Sequence, residues 1–588
     1  MSDFQPAQET RYHGIPVAPG IAHGPLVVHW EDDEEIPHRH IEAEDLAGEI
    51  ARFETALIST RAELLEIQQK IADAIGAKDA GIFDAHLMVV EDRTLIDEVL
   101  RSLEEDRVNV ESAFSAVAAK YCETLSRIDD PYLRERVVDI QDVSRRVLRH
   151  LTGKGPKDLA TIEQPHILAA RSLAPSETAL IDRSKVLAFA TEAGSKTSHS
   201  AIMARSLGIP AVAGLHTIFD ELGTGADVLI DGNTGVLIAN PNQETLAEYG
   251  RIEERREKVE EELDRIRETV STTMDGRHII LSANIELPEE MNDVAEAGAE
   301  GVGLFRTEYL FLNREVPPGE DEQFESYRTV AERAAPHAVI VRTLDVGGDK
   351  LADNLGLAEE ENPFLGCRAI RFCLQHPAIF KQQLRAILRA SAYGHVRIMY
   401  PMISGIGELR AANAILAQCK SELRAEGKPF REDIEVGIMI EIPSAALTAD
   451  HLARECAFFS IGTNDLVQYS LAVDRVNDRI AHLFDPSHPA VVRLIRASVE
   501  AARKHGIWVG VCGEMAGDIL FTPLLIGLGV DELSASSKLV PRVKRAVQRL
   551  THEACRRLVE DIENYYEGSA ILARCTEIAR AHYPELLD

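Results

Sequence analysis

A chain of 588 residues is too long for one hydrophobic core, and at roughly 150 residues per domain it divides into about three or four units. With 45% hydrophobic and 27% charged residues it has neither the polarity of a disordered chain nor the apolar runs of a membrane-inserted one. A net charge of -33 excludes nucleic acid, whose phosphates this surface would repel, and favours a basic protein partner.

The start of the chain, Met1 to Gln5, has no basic segment followed by an apolar stretch, so no signal peptide or membrane insertion is expected. Cysteines at 122, 367, 373, 419, 456, 512, 555 and 575 form no C-x-x-C pair, which fits reduced thiols in a cytoplasmic protein. Residues 14–28 have short apolar runs broken by Pro and Gly and predict one or two strands. Up to residue 152 the pattern is helical, carried by Leu46, Ile50, Phe53 and Leu57, then Phe83 and Leu87, Phe114 and Val117, and Val143 and Val147. Four helices or more are expected over 37–152, as a bundle inserted into another domain.

Strand-like runs return at 165–170, 185–190, 210–214 and 227–232, so residues 1–36 and 153–242 are expected to form one α/β unit. From 243 to 270 a densely charged stretch places Leu246, Tyr249, Ile252, Val259, Leu263 and Ile266 at helical intervals, which predicts a linker helix roughly 40 Å long at 1.5 Å per residue. Residues 271–588 alternate strand and helix, with strand runs at 278–284, 301–306, 338–345, 396–402, 435–441, 458–465, 508–514 and 531–536. Eight such units predict a closed (β/α)8 barrel of the TIM type, with its chemistry at the C-terminal ends of the strands.

Polar residues gather at those ends: Arg306, Arg342 with Asp345, Glu441, Asn464 with Asp465, and Cys512 with Glu514. For any one of them a charge beginning where a strand finishes is an equal reading; the set over five strands is harder to explain that way. Glu441 and Asp465 offer hard oxygen ligands suited to Mg2+. Arg306, Arg342 and Arg475 offer planar forks for phosphate or carboxylate, and Lys350 adds a point charge. A metal between anion-binding groups describes a site for a small phosphorylated acid. Cys512 is either a small core residue or a proton donor to an enolate. In T-S-H-S-A-I-M-A-R (197–205), His199, one of twenty histidines and by position alone as well read as a structural or exposed one, stands where a helix is expected to begin, with Ser198, Ser200 and Arg205 able to bond an attached phosphate and Thr178 able to orient the imidazole.

These stretches, with G-V-G-L-F-R-T-E-Y-L-F, R-T-L-D-V-G-G-D-K, N-P-F-L-G-C-R-A-I-R, Q-L-R-A-I-L-R-A-S, I-G-T-N-D-L-V-Q-Y-S and V-C-G-E-M-A-G, resemble the Enzyme I family, phosphoenolpyruvate-protein phosphotransferases. The resemblance runs in order from Gly14 to about residue 550 and includes I-F-D-A-H-L-M-V-V-E-D in the helical insert. It implies that His199 is phosphorylated from phosphoenolpyruvate, which is held by Arg306, Arg342, Lys350, Asn464 and Arg475. It further implies Mg2+ on Glu441 and Asp465, Cys512 as the acid that yields pyruvate, a histidine phosphocarrier docked on the helical insert, and a homodimer made through the barrel. The sequence departs from the family pattern at Ser195, Lys196 and Cys367. The dikinases that share the histidine domain and barrel carry a further nucleotide-binding domain, for which the roughly 160 residues ahead of the histidine unit leave no room.

Overall fold

The structure, a computed structural model, describes residues 9–29, 36–75, 82–126, 131–153, 164–171, 185–192, 201, 204–205, 207–216, 218–311, 316–346, 362–475, 477 and 479–587. The chain forms two compact units, Met1–Arg255 and Arg256–Asp588.

In the first unit, strands β1 (Thr10–His13), β2 (Ile15–Ala18), β3 (Ile21–His29), β4 (His166–Ala170), β5 (Val186–Thr191), β6 (Ala211–Ala213), β7 (Asp227–Asp231) and β8 (Val236–Ala239) make one sheet in the order β1-β8-β7-β3-β4-β5-β6-β2. It is mixed: β3, β4, β5 and β6 run parallel, while β7, β8, β1 and β2 join antiparallel. The central strand H-I-L-A-A of β4 is buried along its whole length, as a strand covered on both faces must be. Between β3 and β4 the chain makes helices Leu46–Ile75, Ile82–Val90, Arg93–Asp106, Val110–Ser126 and Pro131–Thr152. Their apolar faces meet in a core that includes Phe53, Phe83, Leu103, Phe114 and Val147. Asp92 starts the third of these helices by accepting from the N–H groups of Thr94 at 2.8 Å and Leu95 at 3.1 Å.

Helix Gln243–Ile266 is capped by Asn242, whose Oδ1 accepts from the N–H groups of Glu244 (2.8 Å) and Thr245 (3.0 Å). Leu246 and Tyr249 pack against Leu229, Val236 and Ile238 of the first unit, whereas Val259, Leu263 and Ile266 pack into the core of the second. The predicted helix extended to 270; the observed one stops at Ile266. There Thr269 Oγ1 donates back to the Ile266 carbonyl at 2.6 Å, and the Lys544 ammonium takes the carbonyls of Arg267 and Gly298.

The second unit is a closed barrel of eight parallel strands, β9 (Ile280–Ile285), β10 (Gly301–Phe305), β11 (Ala338–Arg342), β12 (His395–Tyr400), β13 (Val436–Ile440), β14 (Phe458–Ile461), β15 (Trp508–Val511) and β16 (Glu532–Ser536), with β16 returning to β9. Side chains alternate along each strand: Val339 and Val341 face the surrounding helices, Ile340 the barrel interior. Leu304, Ile340, Met399, Met439, Phe458 and Cys512 fill that interior. Gly437 lies where a Cβ would come within 2.5 Å of the Phe458 ring, which itself stacks on Trp508 at 4.6 Å. The expected architecture, an α/β unit with a helical insert followed by an eight-stranded barrel, is the one observed. Among the described residues no helix is long and apolar enough to cross a membrane.

Candidate functional site

Six of the predicted site residues, Arg306, Arg342, Glu441, Asn464, Asp465 and Cys512, stand at or just beyond the C-terminal ends of barrel strands. Arg306 follows β10; its N–H continues the ladder to the Ile285 carbonyl (2.9 Å) and its Nη1 donates to Glu286 Oε1 (3.1 Å). Arg342 is the last residue of β11, with a largely buried guanidinium that donates through Nη2 to Glu308 Oε1 (3.0 Å) and pairs through Nη1 with Asp345 Oδ2 (2.9 Å). Glu441 follows β13 and is 1% exposed. After β14, Gly462 opens helix Thr463–Leu471, which carries Asn464 and Asp465 in its first turn. Cys512 follows β15 and donates its N–H to the Ile461 carbonyl at 3.1 Å.

Their charges act on one another. Burial pushes the Asp345 carboxyl up, yet Arg342 and Arg368 outweigh it and hold that carboxyl below the usual carboxylate range. Arg368 donates to Asp345 Oδ1 through Nη2 (2.9 Å) and Nε (3.3 Å), with Nη1 3.9 Å from Asp465 Oδ1. Glu441 moves the other way: burial, then the charges of Asp465 and Asp345, raise its carboxyl well above the usual range against the pull of Arg342 and Arg368. Its Oε1 accepts from the Met402 N–H at 2.5 Å, while Oε2 is buried with no hydrogen-bond partner among the described residues. Met402 makes that contact from the left-handed region, at φ 55°, a strained placement for a non-glycine residue. A Cβ on Gly462 would lie 3.1 Å from that free oxygen, so glycine leaves the carboxylate open.

An unpartnered buried carboxylate oxygen beside a second carboxylate is costly for the protein alone and is relieved by a cation. Among the described residues no group of three or more His, Cys, Asp or Glu side chains is gathered as a metal cage. Glu441 and Asp465 offer oxygen donors of the type that a hard divalent ion takes.

Cys512 is 3% exposed, and burial pushes its thiol up to about 11, with Ser460, Arg342 and Arg306 pulling down and Glu441 pushing further up. It is protonated at neutral pH, the state of an acid and not of a nucleophile. Asn464 and Arg475 converge on Glu514: Asn464 Nδ2 donates to Glu514 Oε1 at 3.0 Å, and Arg475 Nη1 reaches the same oxygen at 3.3 Å. Glu514 is largely exposed, so its carboxylate can yield those donors to an anionic ligand.

Arg306, Arg342, Glu441, Asn464, Asp465, Arg475 and Cys512 are thus brought to one end of the barrel. In the first unit Arg205 Nη1 donates to the Val17 carbonyl at 3.2 Å. His199, Thr178, Ser198 and Lys350 lie outside the described residues, as do Ser195 and Lys196. Sequence reasoning missed Arg368 and Glu308, although both stand in quoted motifs. The available signal was an arginine and a glutamate inside otherwise apolar runs; the neighbouring Ala369 has φ 53°, a strain visible only in three dimensions.

Three family models match: PEP-utilising enzyme, N-terminal, over residues 13–136; PEP-utilising enzyme, mobile domain, over 162–235; and PEP-utilising enzyme, PEP-binding domain, over 260–552. The chain is similar to the phosphoenolpyruvate-protein phosphotransferase of Staphylococcus carnosus (strain TM300), 43% identical over 547 residues, which is 93% of this chain and 95% of that protein. The protein of the same name from Priestia megaterium is 45% identical over 507 residues, 86% of this chain and 88% of its own length. That from Geobacillus stearothermophilus is 43% identical over 555 residues, covering 94% and 96%.

Proposed function

Because the chain belongs to the phosphoenolpyruvate-protein phosphotransferases, the Enzyme I family of the sugar phosphotransferase system, we propose that its barrel mouth holds phosphoenolpyruvate for transfer to His199. The observation that carries this reading is the buried Oε2 of Glu441, which has no hydrogen-bond partner among the described residues, on a carboxyl that feels the charges of Asp465, Arg342 and Arg368. Arg306, Arg342, Asn464 and Arg475, with Lys350, grip the carboxylate and phosphate ends of the substrate. Glu441 and Asp465 would hold Mg2+, which would supply neutralisation of the phosphate charge. The P–O bond to the enol oxygen breaks as a bond forms from phosphorus to a ring nitrogen of His199, leaving an enolate. Cys512 gives its proton to the terminal carbon, pyruvate leaves, and solvent restores the thiol. Thr178, Ser198 and Arg205 support the phosphohistidine. Residues 1–36 and 153–242 carry the histidine, 271–588 the substrate site and the homodimer contact, and the helix within 243–270 joins them in a cytoplasmic protein.

The receiver is a small histidine phosphocarrier docked on the helices of 37–152. Ile58 and Met88 are 69% and 66% exposed there, with Leu65 two turns beyond Ile58. Arg61 paired with Glu91 at 2.6 Å and Gln68 donating to Asp84 at 2.8 Å run between those helices. Apolar anchors ringed by charge on an acidic chain suit a basic partner.

With Mg2+ and phosphoenolpyruvate labelled in the phosphoryl group, the purified protein is expected to take up one label per chain and to release one pyruvate for each. EDTA should stop both and added Mg2+ restore them. Protein that labels equally well in EDTA would overturn the metal assignment, and protein that never labels would overturn the reading of the site.

A further inference from the structure

The motif Q-L-R-A-I-L-R-A-S, in helix Pro377–Ala390, has no role in the chemistry above. Arg385 and Arg389 turn outward to Glu320 of helix Glu320–Ala334, each at 2.6 Å, and so fix one helix on the other. Gln383 turns inward and is 1% exposed. Its Oε1 accepts from the Leu344 N–H at 2.8 Å, and its Nε2 donates to Thr307 Oγ1 at 3.0 Å and to Tyr327 Oη at 3.2 Å. Thr307 Oγ1 then donates to the Arg342 carbonyl at 2.9 Å. Tyr327 Oη donates to Gln323 Oε1 at 3.1 Å, and Gln323 Nε2 to the Pro318 carbonyl at 2.9 Å.

We propose that Gln383 is a positioning residue for phosphoryl transfer, a single amide that sets the spacing between the loop Arg306–Thr307–Glu308 and the loop Arg342–Asp345. The inference rests on the site reading given above. Thr307 lies between Arg306 and Glu308, and Leu344 lies next to Asp345, so one side chain bonds the backbone or hydroxyl at the centre of each loop. The orientation of the amide is forced, because the Leu344 N–H needs an acceptor and the two hydroxyls already donate elsewhere. Thr307, Gln323, Tyr327 and Gln383 are all buried, and every polar atom of the relay has its partner. A buried network satisfied in this way holds one geometry. Glu308 Oε1 adds to it from the mouth side by accepting from the Asp345 N–H at 3.1 Å and from Arg342. The two loops that carry the substrate-gripping arginines are thereby coupled front and back.

Gln383→Glu keeps the size and the acceptor for Leu344 but removes both donors; Gln383→Met keeps the volume alone. Each is expected to raise the KM for phosphoenolpyruvate and lower kcat, together by about a hundredfold in kcat/KM, the scale of a misplacement near 1 Å. Thr307→Val, which removes the hydroxyl between the loops with little change of shape, should move KM the same way and serves if the Gln383 variants fail to fold. Tyr327→Phe leaves both loop bonds in place and is expected to raise KM less. Phosphoenolpyruvate titrated calorimetrically into His199→Ala and into the His199→Ala, Gln383→Met double variant reads the same loss without turnover. Folded Gln383 and Thr307 variants with the parent KM and kcat, or a rise in KM with Tyr327→Phe as large as with Gln383→Met, would overturn the proposal. A parent protein that does not self-phosphorylate would instead overturn the function proposed for the site.

Discussion

His199→Ala is expected to take no label from phosphoenolpyruvate, against one per chain in the parent, while binding phosphoenolpyruvate at the barrel with unchanged affinity. Covalent catalysis depends on a group that is nucleophilic at the working pH and open to the substrate. At the barrel mouth the described side chains offer Cys512 as a nucleophile by type, but burial pushes its thiol up to about 11, so it holds its proton and does not substitute. The arginines are permanent cations and the carboxylates would yield only labile acyl phosphates. Loss of label should not reflect unfolding either. Ala201 and Ala204, which follow the histidine in sequence, are buried with Val17, Ala18, Leu168 and Phe189, so the core there does not include the side chain at 199 among its described members. The checks are a phosphoenolpyruvate titration by calorimetry beside the labelling gel. Label on the variant would move the nucleophile elsewhere, and lost binding would show that the histidine also builds the substrate site.

The barrel was legible because each strand is buried on both faces and ends where apolar character stops, so all eight predicted runs overlap observed strands. Several predicted runs went too far at their C-terminal ends, into Arg306, Asp345, Met402, Glu441, Asp465 and Glu514. Those residues continue the loop out of the strand, and their overrun was itself the signature of the site. The short strand β8 was missed: it follows β7 through a turn at Asp231–Gly235, with Gly235 at φ 75°, and too few residues separate the two for a pattern to register. The helix beyond Ile266 was misjudged because Lys544, nearly three hundred residues away in sequence, captures the Arg267 carbonyl. The same limit hid Arg368, Glu308 and Gln383. Their importance lies in which loops meet across the barrel rim, and no local spacing encodes that. Arg342, Glu441 and Cys512 could be placed at strand ends from the sequence because barrel strands end where apolar character stops.

Cys512→Ser is expected to slow pyruvate formation by about a hundred- to ten-thousandfold, the range for loss of a placed general acid. The thiol stands among Leu304, Ile340, Met399, Met439 and Phe458, and a residue serving only to pack there would cost melting temperature and spare the turnover of the folded fraction. Two features of its surroundings argue for an acid. Burial raises the thiol to about 11, so at neutral pH the proton is present in every molecule; Arg342 and Arg306 lie close enough to favour the thiolate left after donation. The sign of the pH dependence follows. The raised value means that the acid form is lost only as pH climbs through about 11, so this group imposes no fall in rate between pH 7 and 9. A serine hydroxyl is a much weaker acid, and protonation of the enolate then passes to solvent. With phosphoenolpyruvate carrying deuterium and tritium in a defined geometry on its terminal carbon, proton addition in the parent enzyme should therefore give pyruvate with a chiral methyl group, and Cys512→Ser should give a racemic one. A variant that keeps the parent rate and the same handedness would leave Cys512 a packing residue, and the acid would have to be sought in another group at the barrel mouth.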